Sequence, residues 1–318
     1  MSQSVIFSGS SNVELAEEIC SLLGQELAPT HIQRFSNDCL QVQLRASCRE
    51  RDVYIVQSLV PPVQDNLVEL LLMLDAARGA SAARITAVIP HYAYARSDKK
   101  DAPRISIGGR LVADLIATAG ADRVLTMALH APQVHGFFSV PVDHLSAISE
   151  LAQHYTGTDL SNTVVVSPDL GNAKPATQFA RMLGVGVAAG SKQRLDDDTV
   201  VIESIVGDVA GKDVIVLDDE IATGGSVCEL LDVLATHRAR RISLACTHGL
   251  FTGKAIERLC ARTDIDEVVT TNTVPQASHY ALPNLEVRSI APLFAETIRR
   301  IHDGESVSSL FSTDATHG

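Results

Sequence analysis

The stretch Val214-Ile-Val-Leu-Asp218-Asp219-Glu220-Ile221-Ala222-Thr223-Gly224-Gly225-Ser226 changes character twice in quick succession. Its opening β-branched and leucine run reads as a strand buried on both faces, as in a parallel sheet. Two carboxylates close that run, a Thr-Gly-Gly-Ser turn follows, and residues 227–235 repeat at helical spacing. Strand, tight turn and helix in that order make the repeating unit of an α/β fold. Gly224 and Gly225 carry no Cβ, so backbone N–H groups can close on a phosphate. The hydroxyls of Thr223 and Ser226 add donors, and the helix N-terminus favours an anion there. Asp218 and Asp219 would repel that phosphate and suit vicinal hydroxyls or a hydrated Mg²⁺ instead. The segment therefore predicts a site for a sugar phosphate. It lacks the Gly-Lys-Ser/Thr ending of a nucleoside-triphosphate P-loop.

Outward from this segment, strand-like and helix-like patterns alternate along the whole chain. Residues 5–8, 53–58 and 84–90 read as strands in the first half, and 163–167, 214–218 and 241–247 in the second. Residues 12–23 form a helical pattern with Leu15, Ile19, Leu22 and Leu23 on one stripe and Gly24 placed to end it. Residues 65–78 read as a helix opening on the capping carboxylate of Asp65 and stopping at Gly79. The halves echo each other: Asn12 with Asn172, Asp52-Val-Tyr-Ile-Val with Asp213-Val-Ile-Val-Leu, and Arg84-Ile-Thr with Arg241-Ile-Ser, at offsets of 160, 161 and 157 residues. Three echoes in order at half the chain length point to an internal duplication. The expected fold is thus α/β, two duplicated Rossmann-like domains each with a mostly parallel sheet flanked by helices. The expected domains are 1–150 and 151–299, with 300–318 packing back on the first. After the first-half strand the chain reads Leu59-Val-Pro-Pro-Val, without glycines, so only the second half should hold the sugar phosphate.

Composition narrows the function. With 318 residues, 46% of them hydrophobic and 20% charged, the chain is globular in type and can form two cores. A formal charge of −12 argues against a nucleic-acid surface, and the absence of Trp weakens a base-stacking platform. The N-terminal residues show no secretory signal, and no apolar run is long enough to span a bilayer. Six scattered cysteines without a Cys-x-x-Cys pair argue against zinc and disulfides and for reduced thiols in the cytoplasm.

Four further segments carry candidate chemistry. His91-Tyr-Ala-Tyr-Ala-Arg96-Ser97-Asp98-Lys99-Lys100-Asp101-Ala-Pro-Arg104 gathers cations after a strand, which suits a polyphosphate or simply a solvated loop. His130 ends the strand-like run from Leu125, where a lone histidine is more often structural than a ligand. Asp169 follows the strand 163–167 and places a carboxylate at an equivalent strand end. Lys192-Gln193-Arg194 precedes the acidic residues 196–198 and by itself reads as a charged loop.

Taken together these segments resemble the ribose-phosphate diphosphokinases (phosphoribosyl pyrophosphate synthetases) of class I, from Phe7 to Phe311. The passages that carry the resemblance include Arg34-Phe-Ser36, Asp65-Asn-Leu-Val-Glu-Leu-Leu71, Tyr94-Ala-Arg96, Gly120-Ala-Asp122, His135-Gly-Phe-Phe138, Ser167-Pro-Asp169, Thr247-His-Gly249 and Gly304-Glu-Ser-Val-Ser308. The resemblance implies transfer of a diphosphoryl group from MgATP to the 1-hydroxyl of ribose 5-phosphate, giving AMP and phosphoribosyl pyrophosphate. By resemblance, Lys192 and Arg194 match the catalytic cations, Asp218 and Asp219 the ribose-binding carboxylates, and Ala222, Thr223, Gly224, Gly225 and Ser226 the 5-phosphate loop. His130 and Asp169 match the Mg²⁺ positions, and Arg96 and Ser97 the ATP loop. Phe35, Asn37, Asp38 and Cys39 match the segment that reaches the adenine of a neighbouring subunit, so a homo-oligomer, by family habit a hexamer, is implied. Ser47, Arg49, Ser306 and Ser308 match positions tied to phosphate and ADP as effectors.

The sequence also departs from that pattern. Asn37 and Cys39 stand where the family has acidic residues, Ser97 where it has Gln, Ala128 and Ala222 where it has Asp, and Asn172 and Pro175 where it has Gly and Arg. Two other roles share these residues: a non-catalytic regulatory paralogue, and a phosphoribosyltransferase that consumes phosphoribosyl pyrophosphate. The second needs only one such domain and no ATP loop.

Overall fold

The computed structural model describes residues 4–169, 171, 173–194, 200–276, 282 and 284–311, with residues 192–194, 200–203, 309 and 311 described by backbone alone. Asn172 and residues 196–198 lie outside that description. In chain order the first half contains β1 (Ser4–Ser8), α1 (Val13–Leu22), β2 (Thr30–Arg34), β3 (Leu40–Leu44), β4 (Asp52–Val56), α2 (Val63–Gly79), β5 (Arg84–Ile89), α3 (Gly108–Ala119), β6 (Arg123–Met127) and β7 (Val142–Leu145). The second half contains α4 (Ile148–His154), β8 (Thr163–Ser167), α5 (Ala173–Leu183), β9 (Gly186–Arg194), β10 (Val200–Val206), β11 (Asp213–Ile221), α6 (Gly225–Thr236), β12 (Arg241–Gly249), α7 (Ala255–Cys260), β13 (Ile265–Thr271) and β14 (Leu285–Arg288). Helices α8 (Ala291–Asp303) and α9 (Ser308–Phe311) close the chain.

Two units result. One comprises Met1–Ser146, Thr273–Pro275 and Ile290–Gly318; the other comprises Ala147–Asn272 and Gln276–Ser289. The first holds a parallel sheet in the order β1-β4-β5-β6-β7, and the second a sheet in the order β10-β9-β8-β11-β12-β13-β14, parallel except for β10. The segment β8-β11-β12-β13-β14 repeats the order of the first sheet. Register makes the duplication specific: Asp52 pairs with Ser4 and Arg84, and Asp213 with Thr163 and Arg241. The expected fold class, duplicated α/β with mostly parallel sheets, is the one observed.

The halves differ at one edge. In the second, the antiparallel pair β9–β10 joins the sheet beside β8; in the first, β2 and β3 form a sheet of their own. Helix α8 packs on α1, and its end is tied down where His302 Nδ1 meets Asp52 Oδ2 at 2.8 Å and Arg84 donates to Ile301 O at 3.1 Å. The buried faces of β4 and β5 and the inner face of α2 (Val53, Ile55, Leu70, Met73, Leu74, Ile89) form the first core. Each such side chain contributes about 1.5–3 kcal/mol of transfer free energy.

Several local expectations need correction. On α1 the buried stripe is Leu15, Ala16, Ile19 and Cys20, while Leu22 is 54% exposed. The small Ala16 and Cys20 let the helix sit close, so the stripe runs one residue away from the leucines. Asp65 does not cap α2: Pro62 holds the cap position, and Asp65 lies inside the first turn, bonded to Arg34 at 2.7 Å. Helix α2 does end at Gly79, its last residue, with Ala80 as the C-cap. Strand β4 stops at Val56, although Gln57 N–H still donates to Val88 O at 2.9 Å. Strand β6 stops at Met127, where Ala128 takes φ +43.

Candidate functional site

Strand β11 delivers Asp218 and Asp219 to the carboxyl edge of the second sheet, and the chain turns through Ala222 and Thr223 into α6. Gly224 occupies the helix cap at φ +72, a left-handed conformation that side chains resist. Its carbonyl accepts Cys228 N–H at 3.0 Å, which leaves the first N–H groups of α6 for a ligand. The loop is held from one side. Thr252 N–H donates to Ala222 O at 2.8 Å, Leu250 and Phe251 N–H groups donate to Ile221 O, and Arg258 Nη1 donates to Thr223 O at 2.8 Å. Thr252 and Arg258 are thus supporting residues that sequence reading missed; an isolated threonine and arginine some 30 residues away carry no local signal.

The carboxylates form a charged cluster. Burial pushes the Asp218 carboxyl well above the usual range, and the neighbouring charges of Asp219 and Asp169 push it further. Asp219 N–H donates to Asp218 Oδ1 at 2.9 Å and offsets part of this. Asp169 is brought within electrostatic reach because β8 ends level with β11, Val166 pairing with Val216. Such a cluster fits a partner that supplies positive charge or hydroxyl protons. Among the described residues no group of three or more His, Cys, Asp or Glu side chains could hold a metal ion alone. Strand β9 runs past the end of β8: Ser167 pairs with Ala189, and Lys192 and Arg194 lie further out, paired with Ile202 and Val200 of β10. For these two residues the description stops at the backbone.

The first unit holds the remaining candidates. A short 3-10 turn over Ala93–Arg96 follows β5 and leaves Arg96 exposed. Ser97 Oγ accepts Gly108 N–H at 2.8 Å, and its carbonyl accepts Gly109 N–H, so this serine fixes the start of α3. His130 is exposed on the turn after β6, and Gln133 Nε2 donates to Asp98 Oδ2 at 2.6 Å, linking that turn to the Arg96 loop. Phe35, Asn37, Asp38 and Cys39 sit at the tip of the β2–β3 hairpin, Phe35 with 43% of its surface exposed. Arg34 anchors the tip, bonding Asp38 and Asp65 at 2.7 Å each. Ser47 and Arg49 are exposed before β4; Ser306 Oγ accepts Ser308 N–H at 3.2 Å at the start of α9.

With this geometry in place, the relatives are informative. Residues 4–120 match the family described as the N-terminal domain of ribose phosphate pyrophosphokinase, and residues 201–312 the phosphoribosyl synthetase-associated domain. The chain belongs to the ribose-phosphate pyrophosphokinase family. It is 65% identical to a Streptomyces coelicolor relative over 96% of each chain, and 52% identical to the ribose-phosphate pyrophosphokinase of Deinococcus radiodurans over 97% of this chain and 98% of that one. Among solved structures, phosphoribosylpyrophosphate synthetase from Mycobacterium smegmatis superposes with a TM-score of 0.89 at 38% identity, over 95% of this chain and 99% of the other. Helices long and apolar enough to cross a membrane are absent among the described residues.

Proposed function

We propose that this protein is a ribose-phosphate diphosphokinase that transfers the diphosphoryl group of MgATP to the 1-hydroxyl of ribose 5-phosphate. One observation carries the reading: the Asp218–Asp219 carboxylates stand beside a loop whose N–H groups are open to a phosphate, in a chain related end to end to ribose-phosphate pyrophosphokinases. The 5-phosphate docks on Thr223–Ser226 and the first N–H groups of α6. The vicinal hydroxyls donate to Asp218 and Asp219, which orients the sugar. Its 1-hydroxyl oxygen then attacks the β-phosphorus, the bond from that phosphorus to the α-phosphate oxygen breaks, the hydroxyl proton departs, and AMP leaves. Lys192 and Arg194 neutralise the charge that builds on the transferred group and on AMP. Arg96 and Ser97 belong to the ATP loop of the first unit. His130 and Asp169 would hold Mg²⁺, which would supply charge that lowers the repulsion between the triphosphate and the incoming oxygen.

Phe35, Asn37, Asp38 and Cys39 stack against and border the adenine bound by a neighbouring copy, so the active form is a homo-oligomer, a hexamer by analogy. Ser47, Arg49, Ser306 and Ser308 belong to a phosphate and ADP effector site. The six scattered cysteines, with no Cys-x-x-Cys pair, suit a reducing cytoplasm. Purified protein given ATP, ribose 5-phosphate and Mg²⁺ is expected to form AMP and phosphoribosyl pyrophosphate in equal amounts. Absence of AMP under these conditions would replace this reading with that of a non-catalytic regulatory paralogue.

A further inference from the structure

The turn that carries His130 is held by a side chain that no motif identifies. After β6 the chain passes through Ala128 at φ +43, a conformation that a Cβ disfavours, then Leu129, 5% exposed, then the exposed His130. Two bonds fix this turn to β7. Ala128 N–H donates to Leu145 O at 2.9 Å, and Leu129 N–H donates to His144 Nε2 at 2.8 Å. The second bond requires a neutral imidazole with its lone pair on Nε2 and its proton on Nδ1. Burial, with a smaller contribution from His135, pushes His144 down to about 4, so the ring stays neutral.

The second unit supplies an internal control. There the first bond recurs, Asn272 N–H donating to Arg288 O at 3.1 Å. Register places Val287 where His144 stands: Met127 pairs with Leu145 and Thr271 with Arg288, and each residue of interest comes one earlier. Valine has no acceptor. The imidazole bond is therefore an addition to the shared framework, made where the exposed His130 follows.

We propose that His144 is the positioning residue of the His130 turn, holding a strained backbone so that the His130 imidazole is presented to the metal of the bound nucleotide. This rests on the reading of His130 as a metal ligand. Loss of an outer partner of a metal site typically costs about 10–100-fold in metal affinity. The test uses the full-length protein in three forms: wild type, His144→Met, which keeps the bulk without the acceptor, and His144→Gln, which returns a neutral acceptor. The half-saturating Mg²⁺ concentration and turnover at saturating Mg²⁺ are read by AMP formation. Ribose 5-phosphate binding is read by calorimetry, and exchange of the Leu129 amide by mass spectrometry on a peptide spanning 125–131.

The expected result for His144→Met is a Mg²⁺ requirement raised about 10-fold, unchanged ribose 5-phosphate affinity and faster Leu129 exchange, all returning toward wild type in His144→Gln. A Met variant with unchanged Mg²⁺ requirement overturns the proposal, whether or not its melting temperature falls. So does a Gln variant as impaired as the Met variant. If the wild type forms no AMP, the catalytic reading fails separately. Mn²⁺·ATP binding by calorimetry and Leu129 exchange then decide the proposal on the same comparison of variants.

Discussion

The two strand ends that the duplication makes equivalent have opposite chemistry. Five residues after Asp213, β11 presents Asp218; five residues after the register-matched Asp52, the first unit presents Gln57. Burial and two neighbouring carboxylates make the Asp218 charge costly and raise its carboxyl well above the usual range. Gln57 closes a hydrogen-bonded network that takes in the Glu69 carboxylate. Its Nε2 donates to Glu69 Oε1 at 2.8 Å and to Asn66 O at 3.1 Å, and its Oε1 accepts from Ser11 N–H at 3.1 Å and Ser11 Oγ at 2.6 Å. Glu69 completes the closure by accepting Ser10 N–H at 2.5 Å and Ser10 Oγ at 2.9 Å. Gly9 packs so tightly here that a Cβ would collide with both Gln57 and Glu69. One copy of the strand end therefore closes a hydrogen-bond network, and the other gathers carboxylates. A buried network closed by its own hydrogen bonds stabilises the fold; clustered carboxylates cost stability that a cation or hydroxyl donors can offset.

The sharpest way to break this contrast is to remove chemistry from the second unit without touching its binding loop. Lys192→Ala is expected to lower turnover about 10²–10³-fold, the usual cost of losing a preorganised charge-stabilising donor. Ribose 5-phosphate affinity, measured by calorimetry, is expected to stay near wild type. Full turnover in this variant would remove Lys192 from the mechanism.

Next in size is a paired change at the two strand ends. Asp218→Asn should weaken ribose 5-phosphate binding roughly 10–100-fold, because hydrogen bonds to a charged group contribute about 1.5–3 kcal/mol. The same change should raise the melting temperature of the free protein in metal-free buffer. The sign follows from the raised carboxyl: a proton held more tightly in the folded state means that stability is lost as pH rises through the folded value. The gain from Asn is thus near zero at about pH 4, the ordinary Asp value, and grows as pH rises above it. A variant that binds ribose 5-phosphate normally, or gains no stability at the higher pH, contradicts the reading of this cluster.

Gln57→Glu is the mirror change. It places a second carboxyl within bonding distance of Glu69 and removes the donor to Asn66 O. A loss of about 2 kcal/mol is expected, roughly 4–8 °C in melting temperature, with ribose 5-phosphate affinity unchanged. Any defect in ribose 5-phosphate binding equal to that of Asp218→Asn would mean that the first unit is not a closed copy.

How much of this was legible in the sequence depended on whether the signal was local. The Asp218–Ser226 segment could be read because strand, carboxylates and glycines are adjacent, and the duplication because Asp52 and Asp213 open matching strands. The closure of the first unit was invisible, since Ser10, Gln57 and Glu69 meet only once β1, β4 and α2 have packed. His144 was missed for the same reason, its partner lying 15 residues away across a strand pair. Leu22 misled because a leucine at helical spacing looks like core, yet α1 buries the smaller Ala16 and Cys20 instead. Asp65 misled because a carboxylate near a helix start looks like a cap until Arg34 claims it.

The smallest expected effect tests whether the two kinds of site are shared between copies of the chain. The Phe35 hairpin tip is exposed and is anchored within its own unit by Arg34, bonded to Asp38 and Asp65. An exposed aromatic ring on a braced tip is arranged to meet something outside its own core. If that something is the adenine bound by the adjacent copy, Phe35→Ala and Lys192→Ala damage different halves of a composite site. Each variant alone is expected to be nearly inactive. After mixing and subunit exchange, some sites combine an intact Phe35 from one chain with an intact Lys192 from the other, and a fraction of wild-type activity should return. Apparent stability should also rise with protein concentration, as linked assembly requires. Exchange can be followed independently with differently tagged subunits. Should exchange be complete and no activity return, or should a dilute monomer retain full turnover, the adenine segment acts within its own chain and the shared site is wrong.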